Sequence, residues 1–205
     1  MTRIILTRHG HVEGISPPRF RGRTELPLTP RGLAEASAVA RRIAELWSPR
    51  IVYTSPMERC MTTGSRIAEA CGCSLDIMPD LIDLDCGDLQ WKTYEEAKTE
   101  YPEFFQTWFS APHLARFPNG DALHDLVART ANALRIVLAR HADDTVVLVG
   151  HDSVNRALLL QLLDQPLSAY WRLAQSPCAI NEIEIVDRRI RVERVNETAH
   201  LPVQA

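Results

Sequence analysis

The sequence predicts an α/β sandwich with a largely parallel central sheet. Short runs of β-branched and aliphatic residues alternate with longer segments whose apolar residues recur at helical spacing, and this alternation favours parallel strands. The clearest buried strand is the unbroken run at Thr145–Val149, which Asp143-Asp144 and Gly150 bound. A chain of 205 residues with 45% hydrophobic content can bury a sizeable core, so we expect one domain over residues 1–205.

The first half of the chain predicts three strands that alternate with two helices. They are a strand at Ile4–Leu6, a helix from Thr29-Pro30 to Trp47, a strand at Ile51–Tyr53, a helix from Ser55 to near Gly72 and a strand at Leu75–Met78. Thr29 is a typical helix cap, and proline is favoured in the first turn. Ser55 with Glu58 reads as a capping box.

The second half predicts a further helix, strand and helix, followed by a hairpin. These are a helix from Asp121 to about His141, a strand at Thr145–Val149, a helix from about Ser153 to Leu163, and a hairpin of Ile180–Val186 with Ile190–Val195 joined through residues 187–189. Residues 91–117 hold eight of the thirteen aromatic side chains. We expect a helical insertion there, which either packs on itself or serves as a lid over a ligand.

Composition excludes several classes of protein. The net charge is −3 without a basic tract, which argues against nucleic acid as a partner. No apolar run approaches the roughly 20 residues of a membrane span. The N-terminus lacks the pattern of a signal peptide, so we expect a cytoplasmic protein. The five cysteines are odd in number and lack the spacing of a zinc site, which favours reduced thiols.

Arginine and histidine follow the predicted strands at their carboxyl ends. Arg8-His9 follows the first strand, Arg59 lies just after the second, and His151 follows the Thr145 strand. Ligands of such sheets bind beyond the carboxyl ends of the strands, so these groups should share one crevice. An arginine fork and a helix start both favour phosphate, which makes the crevice a candidate anion site.

A metal site is the alternative interpretation of the same residues. His9 and His11 have a common ligand spacing, and His151 with Asp152 could complete a site in a metal-dependent hydrolase. Against it, Arg8 would place a fixed positive charge beside the cation. The chain is also short for the eight-stranded barrels that usually carry such sites.

Four segments, in order, resemble signature segments of the histidine phosphatase superfamily, also called phosphoglycerate-mutase-like. They are TRHGH, SPMERCMTTG, DLIDLDCGDLQW and VGHDSVNRALL. The stretches GRTELPLTPRG and VNETAHL fit the same pattern, so the resemblance covers nearly the whole chain. It implies a three-layer sandwich and a phosphomonoesterase that acts on a small phosphorylated metabolite without metal or other cofactor, as a monomer or homodimer.

The resemblance also implies roles for individual residues. His9 matches the nucleophile that takes the phosphoryl group, Arg8, Arg59 and His151 match the clamp around the phosphate oxygens, Asp83 matches the proton donor to the leaving group, and Arg23 matches an arginine near the pocket mouth. His9 must be neutral, with its other ring nitrogen donating to a backbone carbonyl. His151 is expected to be protonated. Asp83 is expected to be a protonated acid whose burial opposes the nearby positive charges.

This chain departs from the usual pattern at four positions. His11 and Asp83 stand where glutamate is usual, and Asp83 shortens the arm by one methylene. Ile15 replaces an asparagine near the phosphate, and Arg19 or Arg21 could supply that contact. Asp152 replaces a glycine, and we expect it to face away and cap the following helix.

Two further functions stay open at this point. One is a cofactor-dependent phosphoglycerate mutase, although such mutases tend to have a longer insertion that is richer in arginine. The other is a catalytically weak phosphate-binding module, which the substitutions at Ile15 and Asp83 allow.

Overall fold

A six-stranded sheet lies between two layers of helices in the computed structural model, which describes residues 1–187 and 189–201. The strands are β1 (Thr2–Arg8), β2 (Ile51–Thr54), β3 (Ser74–Ile77), β4 (Thr145–Gly150), β5 (Ile180–Val186) and β6 (Arg189–Glu197). Their order across the sheet is β3-β2-β4-β1-β5-β6. The first four are mutually parallel, whereas β5 and β6 add an antiparallel edge. The prediction of a three-layer, largely parallel sandwich is confirmed.

Helices cover both faces of this sheet. They are α1 (Pro30–Leu46), α2 (Glu58–Cys71), α3 (Tyr94–Glu100), α4 (Pro102–Ser110), α5 (Leu123–Arg140) and α6 (Asp152–Leu162). Alternate strand residues face opposite layers, as the pleat requires. Ile5 and Val147 pack in the core under α1 and α2, while Leu6 and Leu148 pack in the core under α5 and α6. The helical insertion predicted near 91–117 contains α3 and α4.

Some predicted helix caps are correct and others are wrong. Thr29 caps α1 by accepting a hydrogen bond from the Gly32 amide at 3.1 Å, and Gly72 ends α2 with a φ of 63°. Ser55 does not cap α2, which begins at Glu58 without a side-chain cap. Its hydroxyl oxygen lies 2.8 Å from Nε2 of His151 instead. The Ser55 hydroxyl therefore pairs with the predicted site residue His151 instead of capping α2.

The loop after β1 rests directly on the first turn of α1. A Cβ on Gly10 would lie 2.4 Å from the Gly32 carbonyl oxygen, so only glycine fits this contact. The amide of His11 donates to the Glu35 carboxylate at 2.8 Å, and the Thr29 amide donates to the His11 carbonyl at 3.0 Å. These contacts fix the backbone on which Arg8 and His9 stand.

The terminal hairpin is present, with β6 longer at both ends than predicted, and Arg188 of its connection lies outside the described residues. All five cysteines are free thiols, in agreement with the expectation. Among the described residues, no helix combines the length and the apolar character needed to cross a membrane.

Candidate active site

The carboxyl ends of four neighbouring parallel strands bring together five of the six predicted site residues. Arg8 ends β1 and His9 follows it, while His151 follows β4. Arg59 lies in the first turn of α2, just beyond β2, and Asp83 lies in the loop beyond β3. The sheet order β3-β2-β4-β1 makes these ends adjacent, which is why residues distant in sequence meet here.

His9 is held as a neutral ring whose Nε2 carries no proton. Its side chain is 1% exposed, and Nδ1 lies 2.7 Å from the Gly10 carbonyl oxygen. A carbonyl only accepts, so Nδ1 carries the proton and Nε2 keeps its lone pair. Burial lowers the pKa of His9 well below its usual value, and the positive charges of Arg59 and Arg8 lower it further. This is the tautomer that the sequence led us to expect.

Arg59 is the centre of the site. Its guanidinium is fully buried, and Nε–H points between Nε2 of His9 at 3.2 Å and Nδ1 of His151 at 3.3 Å. The terminal nitrogens donate to two backbone carbonyls of the 22–24 loop, both at 2.8 Å. Nη2 also donates to Oδ2 of Asp83 at 3.2 Å. One planar fork therefore sets the relative positions of both histidines and the carboxylate.

His151 is neutral in this structure, whereas the protonated clamp is expected of the site with a phosphoryl group bound and stays a prediction. Nε2 lies 2.8 Å from the hydroxyl oxygen of Ser55 and Nδ1 accepts from Arg59, which places the proton on Nε2. Burial is the largest cause that lowers the pKa of His151 to about 3. The charges of Arg59 and Arg8 act in the same direction and outweigh the opposing effect of Asp83.

Arg8 presents a buried donor that the protein itself does not use. Its Nη1 donates to the Gln175 carbonyl at 2.7 Å and lies 3.6 Å from Oδ1 of Asp152. Its Nε, also buried, has no hydrogen-bond partner within residues 1–187 and 189–201. Burial lowers the pKa of Arg8 to about 10, so the side chain still carries its charge at neutral pH. A buried cationic donor without a partner is suited to an anionic ligand.

Asp83 is an ionised carboxylate in this structure, which differs from the protonated acid expected. Oδ1 accepts from the Leu84 amide at 2.9 Å and from the Ser153 hydroxyl, and Oδ2 lies 3.4 Å from Nδ1 of His151. Burial raises the pKa of Asp83, but the charge of Arg59 and these hydrogen bonds together hold it below its usual value. Asp83 is thus the internal counterion of the cationic site.

Arg23 lies beside the cleft and faces away from it. Its guanidinium contacts the Asp85 carboxylate and the Asp121 carboxylate, each at 3.1 Å, and the backbone carbonyl of Asp83 at 3.2 Å. Every one of these partners belongs to the protein. The structure therefore places Arg23 behind the loop that carries Asp83.

The expectation that Asp152 faces away and caps α6 is wrong. His151 is the N-cap of α6, and the carboxylate of Asp152 lies on the cleft. It is held there by Arg156, one turn along α6, whose Nε donates to it at 2.9 Å. The Asp152 carboxylate pairs with Arg156 and does not cap the helix, because the guanidinium donates to both of its oxygens.

The four residues of the metal hypothesis do not converge. Nδ1 of His11 lies 3.0 Å from the Thr29 hydroxyl, on the α1 side of the loop, and Asp152 is paired with Arg156. Across the described part of the chain, no three His, Cys, Asp or Glu side chains are placed to hold a metal ion. This geometry does not provide the site that the His-x-His spacing suggested.

A cleft opens beside Asp83 and Ser153. Arg19, Arg21 and Asp152 are among its polar lining residues, and six aromatic side chains line it as well: Phe20, Tyr94, Trp108, Phe117, Tyr170 and Trp171. Nη1 of Arg21 donates to the Gly14 carbonyl at 2.6 Å, which anchors the side chain at one nitrogen. The insertion therefore packs on the core and also supplies wall residues to the cleft.

Sequence reasoning missed three polar partners of the site. Ser55 is predicted to cap a helix and Ser153 to begin one, whereas they contact His151 and Asp83. Their positions, next to strand ends that carry the predicted histidine and arginine, were the available signal. Gln175 contacts Arg8 through its backbone carbonyl, which no side-chain pattern reveals.

The buried neutral histidines predict acid sensitivity of the fold. Unfolding returns His151 from a pKa of about 3 to its ordinary value, so below pH 6.5 the unfolded chain binds more protons. The free energy of unfolding should therefore fall as the pH drops below 6.5. We expect His151 alone to contribute a loss of about 1 kcal/mol between pH 7.5 and 5.5.

Urea unfolding of wild type and His151→Gln at these two pH values measures this contribution. The variant should lose less stability than wild type by about that amount, while His124→Gln, whose side chain is exposed, should behave as wild type. The same pH dependence in all three proteins would contradict a neutral buried His151.

Comparison with known proteins finds matches over nearly the whole chain. The sequence profile of the histidine phosphatase superfamily (branch 1) matches residues 4–198. Phosphoserine phosphatase 1 of Hydrogenobacter thermophilus is 30% identical, over 98% of this chain and 95% of that protein. The metal-independent phosphoserine phosphatase of Arabidopsis thaliana is 30% identical, over 98% of this chain and 84% of that protein.

A mutase name also occurs among the relatives. The probable phosphoglycerate mutase GpmB of Enterobacter sp. is 29% identical, over 90% of this chain and 85% of that protein. Among solved structures, Bacillus stearothermophilus YhfR superposes with a TM-score of 0.92 and 26% identity, covering 98% of this chain and 100% of that one.

Proposed function

The chain belongs to the histidine phosphatase superfamily, and from this premise we propose that it hydrolyses a small phosphomonoester through a phosphohistidine at His9. The observation that carries the proposal is the state of His9. Its ring is neutral, its Nδ1 proton is fixed on the Gly10 carbonyl, and its unprotonated Nε2 accepts from Nε–H of Arg59 at 3.2 Å. A nucleophile needs such a lone pair next to the charges that neutralise the phosphoryl oxygens.

In the proposed binding step, the substrate dianion replaces Asp83 as the partner of the cations. Arg8 offers its unused Nε–H, Arg59 turns from the Asp83 carboxylate to phosphate oxygens, and His151 joins them once it is protonated. A dianion raises the pKa of His151 and, by drawing away the partners of Asp83, raises the pKa of that carboxyl group too. Binding thereby favours the protonated clamp and the protonated acid that the free site lacks.

The proposed chemistry then follows in two displacements. Nε2 of His9 attacks phosphorus, the bond from phosphorus to the leaving oxygen breaks, and that oxygen takes the proton of Asp83. Asp83 next removes a proton from water, whose oxygen attacks phosphorus while the bond from phosphorus to His9 breaks. Inorganic phosphate leaves with His9 again neutral and Asp83 again protonated, as in the substrate complex, and Asp83 then loses its proton to solvent as the site empties.

The leaving group would occupy the cleft beside Asp83 and Ser153. Two curated relatives are named phosphoserine phosphatases, which makes phosphoserine the first substrate to test. Arg21 lines this cleft with an anchored guanidinium that suits a carboxylate on the leaving group. The site residues all come from one chain, so the proposed reaction needs no partner subunit. Five free thiols fit a reducing compartment, and we propose the cytoplasm.

Product analysis distinguishes hydrolysis from the mutase alternative. With 3-phosphoglycerate and a bisphosphoglycerate primer, we expect release of inorganic phosphate to exceed formation of 2-phosphoglycerate, because the cleft wall is aromatic rather than arginine-rich. With phosphoserine, turnover should exceed that with 3-phosphoglycerate and should persist in EDTA. Mutase turnover far above every hydrolysis rate would contradict the proposal, and loss in EDTA restored by zinc or manganese would support the metal alternative.

A further inference from the structure

Two arginines from different parts of the chain converge on the backbone of the loop that carries Asp83. Arg129 of α5 donates from Nη1 to the Ile82 carbonyl at 2.7 Å, and its Nη2 lies 3.4 Å from the Asp83 carbonyl. Arg23, from the loop before α1, donates from Nε to the same Asp83 carbonyl at 3.2 Å. Two consecutive carbonyls are thus held by cationic donors on either side.

One carboxylate links the two arginines. Oδ2 of Asp121 accepts from Nη2 of Arg129 at 2.9 Å and from Nη2 of Arg23 at 3.1 Å. The same oxygen accepts from the Asp85 amide at 3.1 Å, and Nη1 of Arg23 contacts the Asp85 carboxylate at 3.1 Å. These side chains are 20–33% exposed, so the contacts are partly shielded from water. Planar forks in such contacts fix direction as well as distance.

These contacts hold the backbone carbonyls of the loop, in addition to the buried side chains of Leu84 and Cys86. Residues 82–86 lie between two short 3₁₀ turns, Pro79–Leu81 and Gly87–Leu89, and pair with no strand. The Asp83 side chain is short, so its carboxylate reaches Arg59 and His151 only if the backbone is correctly placed. Misplacement of a reacting group by about 1 Å can cost on the order of 10²-fold in rate.

We propose that Arg129, Asp121 and Arg23 form a loop support that positions Asp83 for proton transfer to the leaving group. The three are positioning residues: they touch the backbone of the acid's loop and not the reacting atoms. The inference rests on the proposed function, since it assumes that Asp83 is the acid. It assigns to Arg23 a task behind the loop in place of a contact with substrate.

The test compares leaving groups. Arg129→Gln should lower kcat about tenfold or more with an alkyl phosphate such as glycerol phosphate, whose leaving oxygen needs a proton. With p-nitrophenyl phosphate, which needs little protonation, the loss should stay within about threefold, and KM should change little with either substrate. Asp121→Asn keeps the shape of the side chain and should show the same pattern more weakly, which covers the case that Arg129→Gln does not fold.

Arg135→Gln is the matched control. Arg135 lies on the same helix, is exposed and contacts only Asn132 among the described side chains, so both activities should equal those of wild type. A double variant isolates the coupling to Asp83. In the Asp83→Asn background, Arg129→Gln should cause no further loss with the alkyl phosphate, because the acid that it positions is already gone.

The outcomes separate this inference from the proposed function. Equal losses of kcat in Arg129→Gln with both leaving groups, or a full additional loss in the Asp83→Asn background, would overturn the loop support. If Asp83→Asn itself lacks leaving-group dependence, the role of Asp83 in the proposed function fails first. A leaving-group effect for Asp83→Asn with none for Arg129→Gln and Asp121→Asn would leave the proposed function intact and reject the loop support alone.

Discussion

Replacement of His9 by alanine should lower kcat by on the order of 10⁴–10⁶-fold with every phosphomonoester, the scale seen when an enzyme loses its nucleophile. The reason is Nε2 of His9, which carries a lone pair beside Arg59 because the ring proton is held on Nδ1 by the Gly10 carbonyl. Rapid quenching with labelled substrate should trap an acid-labile phosphate on His9 of the wild type. His9→Ala should trap none.

His11→Gln provides the control for this experiment. His11 lies two residues further on, but its ring contacts Thr29 on the α1 side, so activity should remain within a few-fold of wild type. Near-wild-type turnover by His9→Ala would refute the proposed mechanism. A loss in His11→Gln as large as that in His9→Ala, with activity dependent on added metal, would instead support the His-x-His metal site.

Replacement of Asp83 by asparagine should cost about 10²–10⁴-fold with an alkyl phosphate, the usual contribution of a general acid. With p-nitrophenyl phosphate, the loss should be far smaller. The acid limb of the pH–rate profile should change as well, because a titrating group has been removed. The leaving-group dependence and the pH–rate profile are both measured by steady-state kinetics on the two substrates.

Two neighbouring aspartates complete that test. Asp88→Asn changes an exposed carboxylate that contacts Asn119, and it should leave both activities unchanged. Asp85, the rival acid in the same acidic run, contacts Arg23 and the Gly87 amide. Equal losses on both substrates would mean that Asp83 only shapes the pocket. A large loss for Asp85→Asn with none for Asp83→Asn would transfer the role to Asp85.

The fold was predictable because apolar residues recur along the chain in patterns typical of strands and helices. The buried run at Thr145–Val149 and the spacing of apolar residues in α1 report strands and helices directly, and the strand-end rule then brings Arg8, His9 and His151 to one edge. Residues that lie one turn beyond a strand, such as Arg59, are also within reach of this reasoning.

Protonation states and backbone contacts could not be predicted from the sequence. Whether Asp83 is ionised depends on a 3.2 Å contact with Arg59 and a 3.4 Å contact with His151, and a sequence pattern contains neither distance. Arg23 was expected at the pocket mouth because its neighbours match a motif. Its direction is set by Asp121, which is 98 residues away in the chain.

The internal counterion has a consequence for product inhibition. Inorganic phosphate, the product, meets the same cations as the substrate and would be expected to bind tightly to them. Once the proton of Asp83 has been lost to solvent, however, its carboxylate competes for Arg59 from within the pocket. Substrate meets the same competitor, so the proposed enzyme binds both anions less tightly than its buried cations alone would, and phosphate at a given concentration occupies less of the free site.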